Sequence, residues 1–274
     1  MSPTGTSPLK TSETPTPVKD FSTVTETPAA LFTRQAIAMN KHRYRLAASY
    51  ASGRRVLEVA CGVGQGLGLL GRGANQVVGG DVTFSLLHQA RGHYGDRIPL
   101  LCFDAQSMPF SDHSFDLIIL FEAIYYLPSP SLFLKECRRL LRPGGVLIIS
   151  TINREWSDFN PSPFSHRYFS AAELADLLIE ASFQSELFGA FPTEESAGKG
   201  KIISTLKRVA VKAGLIPKTM KGKELLKRIF LGPLSPLPSE LPYEGNGIHD
   251  LLPIPSGVPW PHSKIIYALA RPRQ

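Results

Sequence analysis

The sequence predicts an α/β protein with a Rossmann-like, mostly parallel sheet covered by helices on both faces. Three observations carry this expectation. Short apolar segments at 55–60, 76–81, 98–103, 115–121 and 145–151 alternate with helix-period segments at 65–72, 83–93 and 130–141. The segments at 115–121 and 145–151 are almost wholly apolar, as in strands buried on both sides. A glycine-rich turn follows the first of these strands at once, and an acid ends the second.

The elements follow in order. Residues 1–28 contain seventeen Ser, Thr or Pro and little able to build a core, so they read as a disordered tail. A helix is expected over 29–51, with Leu31, Ile37, Tyr44, Ala47 and Ala48 on its buried face. The β/α alternation then begins at 55. Ser129-Pro130 places an N-cap ahead of a proline at the first helical position, and Pro143-Gly144-Gly145 stops that helix and turns into the next strand. Ser170-Ala-Ala-Glu173 is a capping-box pattern that opens a helix at 171–181. A strand at 183–190 and another at 264–270 bring the count to seven. Between them lies a Pro-rich, basic excursion, too long for a simple connection and read as a lid or cap. The domain reading is therefore a tail at 1–28, a core at 29–191, an insertion at 192–262 and a last core strand at 263–274.

Charge is concentrated in one place. Of a net +7, ten Lys or Arg lie between Lys199 and Arg228 against a single acid, Glu224, so the rest of the chain is nearly neutral. Apolar residues at helical spacing run through the same stretch (Ile202, Ile203, Leu206, then Leu225, Leu226, Ile229). Such basic-edged stripes fit peripheral membrane contact through 199–230, a lid for an acidic substrate, or a cap packed on the core. RNA is disfavoured, because no recognised RNA-binding module accompanies the charge. The longest apolar run, 117–127, is broken by Glu122 and is too short to cross a bilayer. No secretory or transit signal is read near Met1. Cys61, Cys102 and Cys137 are widely spaced, which suits reduced thiols in a cytoplasm, small buried side chains and no metal site. The expected location is cytoplasmic, with membrane association left open.

The glycine turn admits several nucleoside cofactors. Gly66-Leu-Gly68-Leu-Leu-Gly71 has dinucleotide spacing but begins where the helix should already be running, and no acid lies about twenty residues beyond it. No Gly-Lys-Ser/Thr follows a suitable strand, which removes the nucleoside-triphosphate loop. What survives is Glu58-Val-Ala60-Cys-Gly62-Val-Gly64-Gln-Gly66, which resembles the first motif of class I S-adenosylmethionine-dependent methyltransferases. The resemblance continues through Asp81, Phe103-Asp104-Ala105, Phe115 to Glu122 and Leu141-Arg-Pro-Gly-Gly-Val-Leu147, and covers about residues 40–190. It is closest to the small-molecule type related to the ubiquinone-biosynthesis methyltransferases. It implies a seven-stranded sheet with an antiparallel last strand, S-adenosyl-L-methionine as cofactor, and methyl transfer to a small or glycan/lipid-linked molecule, on oxygen by preference. A catalytically silent cofactor-binding subunit and an RNA methyltransferase stand as alternatives, and oligomeric state is not legible.

The resemblance also distributes roles. Glu58 would help hold the cofactor's α-ammonium, Ala60, Gly62, Gly64 and Gly66 would lie against its methionine and ribose, and Asp81 with Val82 would take the ribose hydroxyls. Asp104 and Ala105 would flank adenine, Phe121 would border the crevice, and Arg43 or Tyr44 would meet the cofactor's carboxylate. Catalytic residues are harder to read, since in-line methyl transfer rests mainly on alignment in a dry site. Relatives often carry Glu-His-Leu after the fourth strand, and this chain has Tyr125-Tyr126-Leu127 there instead. Glu122 and Tyr125 are candidates to orient substrate or wall the pocket, and His166, in a loop after the fifth strand, is the preferred candidate base.

Overall fold

The computed structural model describes residues 20–28, 30–193, 233–242 and 251–273. Strand β1 (Leu31–Thr33) runs directly into helix α1 (Arg34–Ala51), whose N-cap Thr33 accepts from the Ala36 amide at 3.1 Å. The helix is shorter at its start than expected. Leu31 is not on it but on β1, paired antiparallel with β8 (Leu234–Pro236) and largely exposed. The buried face also differs: Asn40, Arg43, Tyr44, Leu46, Ala47 and Ala51 turn inward, so a polar stretch of this helix faces the interior.

The main sheet is built from β2 (Arg55–Val59), β3 (Gln76–Asp81), β4 (Leu100–Cys102), β5 (Phe115–Phe121), β6 (Leu141–Ile152), β7 (Phe183–Pro192), β9 (Leu252–Pro253) and β10 (Ser263–Pro272). Their order is β4-β3-β2-β5-β6-β10-β7-β9. The first five are parallel, and β10 enters antiparallel between β6 and β7. The expected seven strands and antiparallel last strand are thus present, with the two-residue β9 as an eighth strand at the edge. Helices α2 (Leu67–Gly71), α3 (Phe84–Tyr94), α4 (Pro130–Leu140) and α5 (Ala171–Glu180) complete the alternation.

Alternation within each strand divides the core in two. Leu57, Val59, Ile118, Leu120, Leu147 and Ile149 point to the face covered by α4 and α5, where Phe133, Leu134, Cys137, Leu174 and Leu178 meet them. Val56, Leu117, Ile119, Val146 and Ile148 point to the face covered by α1, α2 and α3. Glu58, between Leu57 and Val59, therefore belongs on the α1 side. That parity decides its partner.

Local signals are realised with two changes. Pro130 stands at the start of α4 as expected, but the Ser129 hydroxyl makes no capping bond. The helix stops at Leu140, before Pro143, because Leu141 already pairs with Phe115 across an irregular register. Of the cysteines, Cys61 and Cys137 are buried, whereas Cys102 is exposed at the tip of β4. Among the described residues no helix is long and apolar enough to cross a membrane, and no group of His, Cys, Asp or Glu is arranged to hold a metal. The basic segment 199–228 and its stripes lie outside the described residues, as do residues 1–19 of the tail.

The capping box on α5 is complete. Ser170 Oγ accepts from the Glu173 amide at 3.2 Å, and Glu173 accepts from the Ser170 amide at 2.8 Å. Losing such a cap costs about 1 kcal/mol. Ser170→Ala should therefore lower unfolding free energy by about that amount in urea titrations without changing the m-value.

Candidate active site

A cavity of about 850 Å³ opens at the carboxyl ends of β2, β3, β4 and β5, where open α/β sheets bind ligands. Two of its backbone positions are strained. Ala60 (φ 56°) and Glu122 (φ 52°) end β2 and β5 in the left-handed region, which few side-chain-bearing residues adopt. Both line the cavity.

Asp81 at the tip of β3 ties two loops together. One carboxylate oxygen accepts from the Gly62 amide at 2.9 Å and the other from the Thr83 amide at 2.8 Å. Burial raises its pKa, opposed by those amide bonds. Each oxygen keeps acceptor capacity beyond these single bonds. Val82, Asp104 and Ala105 line the same end of the cavity, and Asp104 accepts from the Gln106 amide at 2.8 Å. Phe103 packs beside them. An added Cβ on Gly80 would lie 2.0 Å from its ring, so the strand must be bare at that point.

The glycines divide into two kinds. Gly62 lines the cavity; Gly64 and Gly66 do not. Gly64, at φ 77°, turns its carbonyl to the Tyr94 hydroxyl, which donates at 2.7 Å. Gly66 is bare because the Tyr44 ring lies against it, 1.9 Å from where a Cβ would sit. That packing aims the Tyr44 hydroxyl inward to Glu58 Oε1, to which it donates at 2.6 Å. Glu58 thus faces Tyr44 rather than the cavity, which it does not line. Burial pushes its pKa up to about 7, opposed by the Tyr44 bond and by Arg43, and reinforced by Asp81. Tyr44 in turn lines the cavity by its ring, its hydroxyl already engaged.

Arg43, on the next position of α1, does face the cavity. It forms an ion pair with Glu26, which also accepts from Asn40 Nδ2 at 2.9 Å. Burial alone would lower the Arg43 pKa, but Glu26, Tyr44 and Glu122 more than reverse this and hold it charged. Asn40 Nδ2 also donates to Gln65 Oε1 at 3.1 Å. Around this pair several buried polar atoms have no partner: Asn40 Oδ1, Arg43 Nε and Gln65 Nε2, with Glu58 Oε2 behind them. Buried polar atoms normally find partners, so this cluster marks a place built for a polar ligand.

Phe121, Glu122, Tyr125 and His166 line the other end of the cavity, with Tyr126 and Trp156. Glu122 accepts from Ser150 Oγ at 2.9 Å and, more loosely, from the Tyr125 hydroxyl at 3.4 Å. Burial raises its pKa, with Arg43 and Ser150 opposing. Tyr125 stacks on Tyr168 with ring centroids 4.2 Å apart. His166 donates its backbone amide to the Tyr125 carbonyl at 2.7 Å, and its side chain is exposed at the rim.

Residues the sequence reading did not place here are Glu26, Asn40 and the Phe21 to Thr25 turn. Phe21, Val24, Thr25 and Glu26 all line the cavity, although the tail reading extended to residue 28. No local pattern marks them. Their role depends on a fold-back across α1 that composition does not reveal.

Comparison with known proteins follows the same outline. Residues 57–149 match the family model described as a methyltransferase domain. A Mycolicibacterium smegmatis protein named "Probable S-adenosylmethionine-dependent methyltransferase" is 36% identical over 149 residues, covering 52% of this chain and 57% of that one. The malonyl-(acyl-carrier protein) O-methyltransferase of Legionella pneumophila is 32% identical over 143 residues, covering 47% of this chain and 50% of the other. The chain thus spans about half the length of the curated relatives it matches. The crystal structure of a S-adenosylmethionine-dependent methyltransferase from Thermotoga maritima shares the fold, with a TM-score of 0.54 at 16% identity over 87% of this chain and 92% of that one.

The Glu58 environment has a measurable signature. Its folded pKa of about 7 lies above the ordinary glutamate value of 4.5, so between those values the folded state holds a proton that the unfolded state has released. Stability is then greatest below about pH 4.5 from this group and is lost as pH rises towards 7, by on the order of 3 kcal/mol. Glu58→Gln should flatten that slope in denaturant titrations between pH 5 and 7.5; an unchanged slope would place the titration elsewhere.

Proposed function

We propose that the chain is a class I S-adenosylmethionine-dependent methyltransferase that transfers the methyl group to an oxygen of a small, largely apolar acceptor, a reading supported by the methyltransferase-domain match over residues 57–149 and by the curated relatives. The residues present fit this cofactor. Its amino-acid end is a zwitterion, and the unpartnered atoms beside Arg43 include both donors and acceptors. Asp81, with acceptor capacity to spare at the cavity wall, suits the ribose hydroxyls, and Asp104 with Ala105 suits adenine. When bound, the cofactor supplies an electrophilic methyl carbon on a sulfonium.

The observation that carries the acceptor class is the apolar and aromatic part of the cavity lining. Phe21, Tyr125, Tyr126, Ile152, Trp156 and Ile265 form it, with Glu122 among them and the Ser150 hydroxyl bonded to that acid. Such a surface excludes water and holds a flat or apolar body while leaving one acid within it. Glu122 is positioned by Ser150 and Tyr125, and its raised pKa makes it a better proton acceptor at neutral pH than an exposed carboxylate. In this reading it would take the proton from the acceptor's hydroxyl as the C–O bond forms and the methyl C–S bond breaks, the sulfonium leaving as a neutral thioether. His166, at the rim, contacts the acceptor's outer end. The oxygen acceptor named for the Legionella relative accords with this direction of chemistry. The core at 29–191 with a last strand at 263–274, joined by the Phe21 to Glu26 turn that lines the cavity, would then be the catalytic unit.

Two measurements test the reading. Calorimetry should show S-adenosylmethionine binding by the wild type and a 10- to 100-fold weakening in Asp81→Ala, about the 1.5–3 kcal/mol of a bond to a charged group. No binding by the wild type would end the proposal. With methyl-labelled cofactor and a panel of hydroxylated small molecules, Glu122→Gln should lower kcat by roughly 10²–10⁴ and erase the acidic limb of the pH–rate profile. Cofactor affinity should be retained.

A further inference from the structure

We propose that residues 20–28 form a strap that closes over the cofactor, and that Glu26 is a positioning residue for the cofactor's α-ammonium. This rests on the cofactor reading above and goes beyond it by assigning a side chain from outside the matched domain.

The strap is built and seated, not merely adjacent. Its own turn is closed by the Val24 and Thr25 amides donating to the Phe21 carbonyl at 3.0 and 3.1 Å, and by Thr25 Oγ1 donating to the same oxygen at 2.8 Å. Three contacts seat it on separate parts of the domain. The Phe21 amide donates to Thr83 Oγ1 at 3.3 Å, just past Asp81. Thr25 Cγ2 lies over Gly62, 2.9 Å from where a Cβ would be. The Phe21 ring meets Tyr126 and Phe164 at centroid distances of 5.2 and 6.2 Å.

Glu26 completes a charge pattern that the domain alone lacks. Both described bonds to its carboxylate, from Arg43 Nη2 and Asn40 Nδ2, go to Oε2. Its other oxygen is left as an acceptor. Beside it are the unpartnered acceptor Asn40 Oδ1 and the unpartnered donors Arg43 Nε and Gln65 Nε2. A cation alone would meet Arg43, and an anion alone would meet Glu26. A zwitterion satisfies both, with its ammonium on Glu26 and its carboxylate on Arg43 and Gln65, all three of which line the cavity. The amino-acid end of the cofactor has that chemistry.

The same few residues also bear Phe21 on the acceptor wall. Seating Glu26 on the cofactor therefore sets the acceptor wall, and the site is expected to fill in order, cofactor first.

Two probes separate the claims: S-adenosylhomocysteine, which keeps the amino-acid end, and 5′-methylthioadenosine, which lacks it. Glu26→Gln should weaken S-adenosylhomocysteine roughly 10- to 100-fold by calorimetry, the range of a hydrogen bond to a charged group, and leave 5′-methylthioadenosine unchanged, with the free protein still folded by circular dichroism at the assay temperature. In a Trp260→Phe background, S-adenosylhomocysteine should shift the emission of Trp156, which lines the cavity, and Glu26→Gln should abolish that shift. Equal weakening of both probes, or of neither, overturns the strap proposal while the cofactor reading stands. Tighter S-adenosylhomocysteine binding in Glu26→Gln also overturns it, making Glu26 a placeholder on Arg43. If the wild type binds neither probe, the cofactor reading itself falls.

Discussion

One buried guanidinium organises the crevice. Arg43 sits among Glu26, Glu58 and Glu122, and it opposes the burial-driven rise in pKa of Glu58, Glu122 and the Tyr125 hydroxyl. Carboxylates taken out of water at such close quarters would otherwise be forced neutral, since each costs several kcal/mol to desolvate. A single fixed cation offsets part of that cost for Glu58 and Glu122. The position of that cation depends in turn on α1, whose polar face turns inward at Asn40, Arg43 and Tyr44.

The parts of the fold legible in the sequence are those governed by local rules. Strands 76–81 and 115–121 were placed to the residue because continuous apolar runs end at an acid or a glycine. The capping box at Ser170 and the proline opening α4 were similarly local. The buried face of α1 was legible only in part: Tyr44 and Ala47 are buried as expected, but Leu31, Ile37 and Ala48 are not. Period alone favours its apolar residues, whereas the domain turns Asn40 and Arg43 inward to meet Glu26 and, from the glycine turn, Gln65. The pairing of Leu31 with Pro236, far apart in the chain, left no local trace either.

The same division runs through the candidate site. Asp81 and Gly62 line the cavity as the local pattern suggests, the one an acid at a strand tip, the other a bare turn residue beneath Thr25. Gly66 was named for a neighbouring reason and serves another, clearing room for the Tyr44 ring. Glu58 was read as facing the ligand. The parity of β2 sends it to Tyr44, so its influence on the cavity is electrostatic and passes through a hydroxyl. Glu26 lies in a stretch whose Ser/Thr/Pro composition predicts disorder, and composition averages away the carboxylate that pairs with Arg43.

The insertion of β10 between β6 and β7 has a kinetic consequence. Within the described sheet, β7 pairs only with β10 and the short β9, both of which follow it by some sixty residues or more. During synthesis at roughly 5–20 residues per second, β7 and the outer edge of β6 therefore emerge several seconds before their long partner. For that interval the nascent sheet presents open, apolar edges of the kind that recruit other chains. Assembly of this half of the domain is a late, non-local step, and the growing chain is most exposed to misassociation before Ser263–Pro272 arrives.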